Sequence, residues 1–186
     1  ITAAIFDLRK TDVAVTDPAS AGLPAGEQWS TNLGETQTLG FDIQAIGQGF
    51  AGQLGCFGDE HLAGLTRLAA AINKNDSVSY VQLHHAGRRS PADLIGTTPV
   101  SSGDDEKAGA KAMTTAEVEA MVEAFIEAAV RSEKAGYNGV ELHGAHDYVL
   151  CQFLNAELNL RSDQYGGSLE NRSRVIFEII DGIRVR

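Results

Sequence analysis

The run Tyr137-Asn138-Gly139-Val140-Glu141-Leu142-His143-Gly144-Ala145-His146-Asp147-Tyr148 constrains the fold of this chain more than any other stretch. Its apolar centre, Val140-Glu141-Leu142, is bounded by Gly139 and Gly144 and reads as a buried strand of a parallel sheet. Two histidines three residues apart, His143 and His146, follow at once, and then Tyr148. Titratable side chains massed at the end of a strand mark a site rather than a core. In α/β barrels the chemistry gathers at the C-terminal strand ends.

The neighbouring pattern agrees. Residues 59–73 predict an amphipathic helix with Asp59 as its cap and Leu62, Leu65, Leu68, Ala69 and Ile72 as the buried stripe. Val78 to Leu83 predicts a strand with Tyr80 and Gln82 on one face and Val81 and Leu83 on the other. His84-His85-Ala86-Gly87-Arg88-Arg89 leaves its C-terminal end. Residues 90–112, rich in Pro, Gly and Ser, predict a loop of about 20 residues, a length that points to function or disorder. Thr114 and Glu117 predict a capping box for a second helix. Its apolar face is Val118, Met121, Val122, Phe125 and Ala129, and Lys134 and Gly136 end it. The strand to His143 comes next, then an irregular excursion containing Arg161 and Asp163, then a helix capped by Ser168. Helix, strand, helix, strand, helix in alternation implies a parallel sheet with crossover helices, hence an α/β fold.

Residues 1–46 are poorly assigned. Most of 1–40 reads as loop, residues 1–9 as a strand or a short helix, and 38–46 as a strand. Gly47-Gln48-Gly49-Phe50-Ala51-Gly52 matches GxGxxG, but no helical pattern opens after it. It reads as a glycine-rich loop, not as a dinucleotide fingerprint. One domain spanning 1–186 is expected. The chain opens without Met and closes inside a helical apolar pattern, Val175, Ile176, Ile179, Ile180 and Ile183, which predicts a piece of a longer protein.

The net charge of −10 argues against nucleic acid or an anionic membrane as partner. The two cysteines, Cys56 and Cys151, are far apart and read as small buried apolar residues of a reduced, cytoplasmic protein. Gln82 is either a core hydrogen-bonder or a reader of a polar ligand edge. Arg161 and Asp163 tie their loop together. The acidic helix positions Glu117, Glu119, Glu123 and Glu127 are solvated surface.

Three stretches resemble the Old Yellow Enzyme family of flavin-dependent ene-reductases: VQLHHAGRRS at 81–90, GYNGVELHGAHDYVLCQFLNAELNLRSDQYGGSLENRSRVIFEIID at 136–181 and, more loosely, GQGFAGQLGCFGDEHLAGLTRLAAAI at 47–72. The resemblance implies a TIM (β/α)8 barrel that holds FMN, is reduced by NAD(P)H and passes hydride to an activated alkene, a small-molecule substrate. Only about the first half of such a barrel fits in this length. By the same resemblance His143 and His146 hold the substrate's electron-withdrawing oxygen, Tyr148 gives a proton to the α-carbon, and Gln82 reads the pyrimidine edge of the flavin. Gly40 falls near a backbone contact to the flavin. Asp147 stands where the family usually has a small residue. There it either raises the pKa of a histidine and crowds the substrate or points to solvent.

The chemistry suits these residue types on its own terms. Hydride addition to a conjugated alkene builds negative charge on the activating oxygen, and two imidazole N–H donors stabilise that charge most in the transition state. A phenol, titrating at about 10 in water, matches a carbanion-like centre as proton donor. Two other readings remain: a non-catalytic half-barrel that pairs with another copy to cover its open edges, and a metal hydrolase using His84, His85, His143 and His146.

Overall fold

The computed structural model of the protein describes residues 49, 50, 53–74 and 76–186 in full and, before them, the backbone of 6–10, 14–16, 30–32 and 36–46. The N-terminal segment forms strands β1 (Phe6–Lys10), β2 (Ala14–Thr16), β3 (Ser30–Asn32) and β4 (Thr36–Ile46). The strands at 6–9 and 38–46 fall where a strand was allowed, those at 14–16 and 30–32 replace loop expected there because strand pairing overrides the turn-rich composition, and the rest of the loop expected in 1–40 lies outside the described residues. After β4 come β5 (Leu54–Gly55), a 3₁₀ turn (Asp59–His61), α1 (Leu62–Asn73) and β6 (Val78–His85). A second 3₁₀ turn (Gly87–Arg89), α2 (Ala92–Ile95), β7 (Val100–Ser101), β8 (Lys111–Ala112) and α3 (Thr115–Lys134) follow. The chain closes with β9 (Gly139–Leu142), α4 (Val149–Leu154) and α5 (Leu169–Val185).

The strand order is β2-β3-β1-β4-β6-β9, with β5 also on β4. The pairs β4–β6 and β6–β9 are parallel, whereas β1 runs antiparallel to β4. Three strand–helix units therefore succeed one another: β4 then α1, β6 then α3, β9 then α5. Gly40 lies within β4, opposite Tyr80 of β6.

The two faces of β6 differ sharply. Val81 and Leu83 are fully buried with α1 and α3, while Tyr80 is 44% exposed and Gln82 is half-buried. The core gathers Leu65, Ala69 and Ile72 of α1 with Val118, Met121, Val122, Phe125 and Ala129 of α3, and with Val175 and Ile179 of α5. Burying a side chain such as Phe125 contributes ~2–3 kcal/mol.

Local signals explain the helix ends. Thr114 Oγ1 accepts from the Glu117 N–H (3.2 Å) and a Glu117 carboxylate oxygen accepts from the Thr114 N–H (2.7 Å), closing the expected capping box. Gly136, at φ +92°, turns the chain out of α3 toward β9. Ser168 caps α5 by accepting from the Asn171 N–H at 3.3 Å. Asp59 does not cap α1. Its carboxylate accepts from Arg131 of α3 (2.9 Å), and the helix starts after a 3₁₀ turn that leaves Gly58 at the cap position. The segment 90–112 is not a bare loop either, since α2 and the β7–β8 ladder give it backbone partners.

Candidate active site

Three strand ends meet. Gly49 and Gln53 follow β4, His84 and His85 close β6, and His143 leaves β9. The His143 N–H donates to Leu83 O (2.9 Å), which carries the β6–β9 register one residue past the strand. His143 is buried and His146 exposed, with His146 Nδ1 3.1 Å from His143 Nε2. The Tyr148 ring lies 5.2 Å from that of His143, edge-on. It stacks on His84 at 4.9 Å with 15° between the planes. A Cβ placed on Gly49 would lie 3.5 Å from the Tyr148 hydroxyl, which puts the backbone after β4 in van der Waals reach of the phenol. The structure therefore brings His143, His146 and Tyr148 together.

Gln82 belongs to the open face of β6. Its amide Nε2 donates to Glu141 of β9 at 3.1 Å. It is not a sealed core hydrogen-bonder, because the side chain is half-buried and its neighbour Tyr80 is exposed.

The loop after β9 turns through two non-glycine residues in left-handed geometry, His146 at φ 54° and Asp147 at φ 57°. Such backbone persists only where surrounding contacts over-determine it. Here Asp147 accepts from Arg88 Nε (2.9 Å), Arg88 Nη2 (2.8 Å) and Arg89 Nε (2.9 Å). Arg88 also pairs with Asp105 at 2.5 Å. Burial works against the Arg88 charge, but its bonds to Asp147 and Asp105 outweigh that and raise its pKa. The Asp147 carboxylate thus faces two guanidinium groups, neither the histidines nor open water. Gln152 of α4 completes the brace by donating to Asp147 O (2.5 Å) and accepting from Ser101 Oγ (2.9 Å). Gly87 sits at φ +60° where a Cβ would collide with the Gln152 amide.

His85 accepts from the Gly87 N–H at its Nδ1 (2.8 Å) and is held neutral, its pKa lowered to about 4 chiefly by burial. Among the described residues, no three His, Cys, Asp or Glu side chains form a metal-ligand set. His143 and His146 meet through their nitrogens, in a hydrogen bond. Arg161 and Asp163 do tie the excursion: Arg161 Nε donates to Asp163 (2.9 Å) and Nη1 to Met113 O, and the hydrogen-bonded guanidinium lowers the Asp163 pKa to about 2. Cys56 is a buried apolar filler whose thiol donates to Ala128 O at 3.4 Å.

Sequence reasoning missed Gln53, Gly49, Arg88, Asp105 and Gln152. Apart from the Gly-rich and Arg-Arg runs that place Gly49 and Arg88 beside strand ends, nothing local marks them. Arg88 shows why: its contacts to Asp105 and Gln152 cross 17 and 64 residues of chain. Residues 47, 48, 51 and 52 of the GxGxxG match lie outside the described residues, but the short strand β5, not a helix, follows them.

Residues 32–186 match the sequence profile of the NADH:flavin oxidoreductase / NADH oxidase family. The chain is 40% identical to an NADPH dehydrogenase of Geobacillus sp. (strain WCH70), over 76% of this chain and 42% of that protein. It is 36% identical to a probable NADH-dependent flavin oxidoreductase of Bacillus subtilis (strain 168), over 83% of this chain and 43% of that protein. Among solved structures it resembles morphinone reductase (TM-score 0.72, 28% identity, 77% of this chain, 45% of that one). It also resembles 2-naphthoyl-CoA reductase in complex with 2-naphthoyl-CoA (TM-score 0.71, 34% identity, 77% of this chain, 25% of that one). The fold is a partial α/β barrel, and the chain spans less than half the length of these relatives.

Proposed function

Because the chain belongs to the NADH:flavin oxidoreductase / NADH oxidase family, we propose that it forms part of an FMN-dependent oxidoreductase. This enzyme takes hydride from NAD(P)H and reduces the C=C bond of an α,β-unsaturated carbonyl or nitro compound. The activity is carried by a polypeptide of the relatives' length. The observation that supports this most is the meeting of His143, His146 and Tyr148 at the C-terminal ends of parallel strands. FMN, when bound, supplies the hydride relay between nicotinamide and alkene. The residues present suit it, since the half-buried Gln82 amide on the open face of β6 can offer a donor and an acceptor to a flat heterocyclic edge.

The chain's own residues act on the substrate's polarity and protons. His143 and His146 share one N–H between facing nitrogens. An oxygen that enters between them exchanges that bond for two donated N–H bonds, one from each ring, and these strengthen as the oxygen gains charge. Tyr148 Oη delivers the proton to the α-carbon.

The test is NADPH oxidation by the FMN-loaded enzyme with an enone as acceptor. Tyr148→Phe is expected to lower alkene turnover by ~10²–10⁴-fold while NADPH still reduces the flavin. A protein that neither binds FMN nor oxidises NADPH would sink the reading. A second reading, a non-catalytic half-barrel that self-associates, is favoured by one observation: among the described strands, β9 has a single neighbour and so an open edge.

A further inference from the structure

Helix α5 is apolar on two sides. Val175 and Ile179 are buried in the core, and Ile176 and Ile183 pack against it. On the side turned away from the core, Phe177 and Leu169 are each 61% exposed. Neither α1 nor α3 leaves a large apolar side chain exposed in this way. The surplus is therefore particular to α5, and fold stability does not account for it.

Phe177 is also the midpoint of a longer pattern. Glu170, Ser173, Phe177, Ile180 and Arg184 succeed one another in steps of 3, 4, 3 and 4 residues. That spacing keeps side chains on one stripe of a helix and suits contact with a second helix. Glu170, Phe177 and Arg184 are exposed, and Ser173 and Ile180 are half-buried. Glu170 stands seven residues before Phe177, and Arg184 seven after it. The stripe is thus self-complementary. An identical helix laid antiparallel across it, Phe177 on Phe177, brings each Glu170 opposite the Arg184 of the other copy. A two-fold interface needs such a patch, one that matches its own image. The two charges are also unspent: among the described residues neither Glu170 nor Arg184 makes a salt bridge, whereas the neighbouring Arg186 is held by Glu123 and Glu127 of α3.

We propose that the outward face of α5 is a docking surface for a second copy of this chain, packed antiparallel about Phe177 with a Glu170–Arg184 ion pair at each end. Leu169, beside Glu170, extends the apolar cover. One pair of helices makes a small interface, so the dimer is a weak, reversible one. The inference is independent of the oxidoreductase reading, and it uses the outer side of a helix rather than the open edge of β9.

The test is sedimentation of the 186-residue chain over a concentration series. Glu170→Arg and Arg184→Glu each set like charges against each other at both ends of the dimer, and each is expected to raise its Kd by ~10-fold. The double swap restores the pairing and is expected to return to within about threefold of wild type. Both swaps oppose the helix dipole, so a role in holding α5 together would instead make the double variant the weakest of the three. That result would overturn the inference. Association indifferent to either single swap would overturn it too and leave the β9 edge as the contact. A second measurement traps the geometry. With Cys151→Ser removing the less buried of the two thiols, Phe177→Cys is expected to give a disulfide-linked dimer under mild oxidation. Ala120→Cys, exposed on α3, is expected to stay monomeric. No cross-link at position 177, equal cross-linking of both variants, or a wild type that is monomeric at every concentration would each refute the proposal.

Discussion

At the scale of single residues, Asp147 shows how a charged side chain is accommodated in a left-handed turn. Its left-handed φ of 57° disfavours any side chain, yet its carboxylate collects three N–H bonds from Arg88 and Arg89. The ion pairs offset the backbone strain and hold the turn that presents His146 and Tyr148. Two variants separate the terms. Asp147→Ala keeps the strain and loses the bonds, and is expected to destabilise the fold by ~1–3 kcal/mol in chemical denaturation. Asp147→Gly also loses the bonds but relieves the backbone, and should be the milder of the two by ~1 kcal/mol. Equal stability of wild type and Asp147→Ala would show that the arginines do not brace the turn.

At the scale of elements, the end of β6 carries a pH dependence. His84 and His85 are both lowered from 6.5 to about 4, burial being the larger cause in each. Their folded pKa values lie below the unfolded ones, so the unfolded chain binds protons that the folded chain refuses. Stability is therefore full above about 6.5 and falls as the pH drops toward about 4. Asp163, lowered from 3.8 to about 2 by the Arg161 hydrogen bond, extends the loss through the next window: its contribution is present above 3.8 and gone below about 2. Urea midpoints measured across this range should decline in two stages, and His84→Phe should flatten part of the first. A midpoint independent of pH between 6.5 and 4 would contradict buried, neutral histidines. Periodicity made β6 itself legible, since Val81 and Leu83 alternate with Tyr80 and Gln82 as expected. The capping box of α3 and the Ser168 cap of α5 were equally legible because both partners lie within one turn. Asp59 misled because its partner, Arg131, sits 72 residues away.

At the scale of the molecule, three parallel strands expose what a closed barrel covers. Tyr80 and Val78 are 44% and 37% exposed on the inner face of β6. A groove of ~530 Å³ runs beside β9, lined by Val130, Tyr137, Val140 and Ile183 among others. It lies away from the histidines and is an opening between α3, β9 and α5. An unpaired strand edge next to apolar surface invites pairing. The 186-residue chain alone is expected to sediment as a dimer or larger species at tens of micromolar, and Val140→Pro, which cannot extend a ladder, should shift it toward monomer. A monomer at all concentrations would exclude the self-associating reading.

Local chemistry was enough to determine the α/β class, the amphipathic helices, the caps of α3 and α5, and the placing of His143, His146 and Tyr148 just past a strand. Each rests on residues near one another in sequence, where periodicity and short-range hydrogen bonds act. Only the tertiary structure decided that 6–10, 14–16 and 30–32 pair as strands, that Asp147 faces Arg88 and Arg89, and that Gln53 meets His84. Those outcomes depend on which distant segments fold against each other. A buried polar atom is satisfied or orphaned by neighbours in space, which its neighbours in sequence do not reveal.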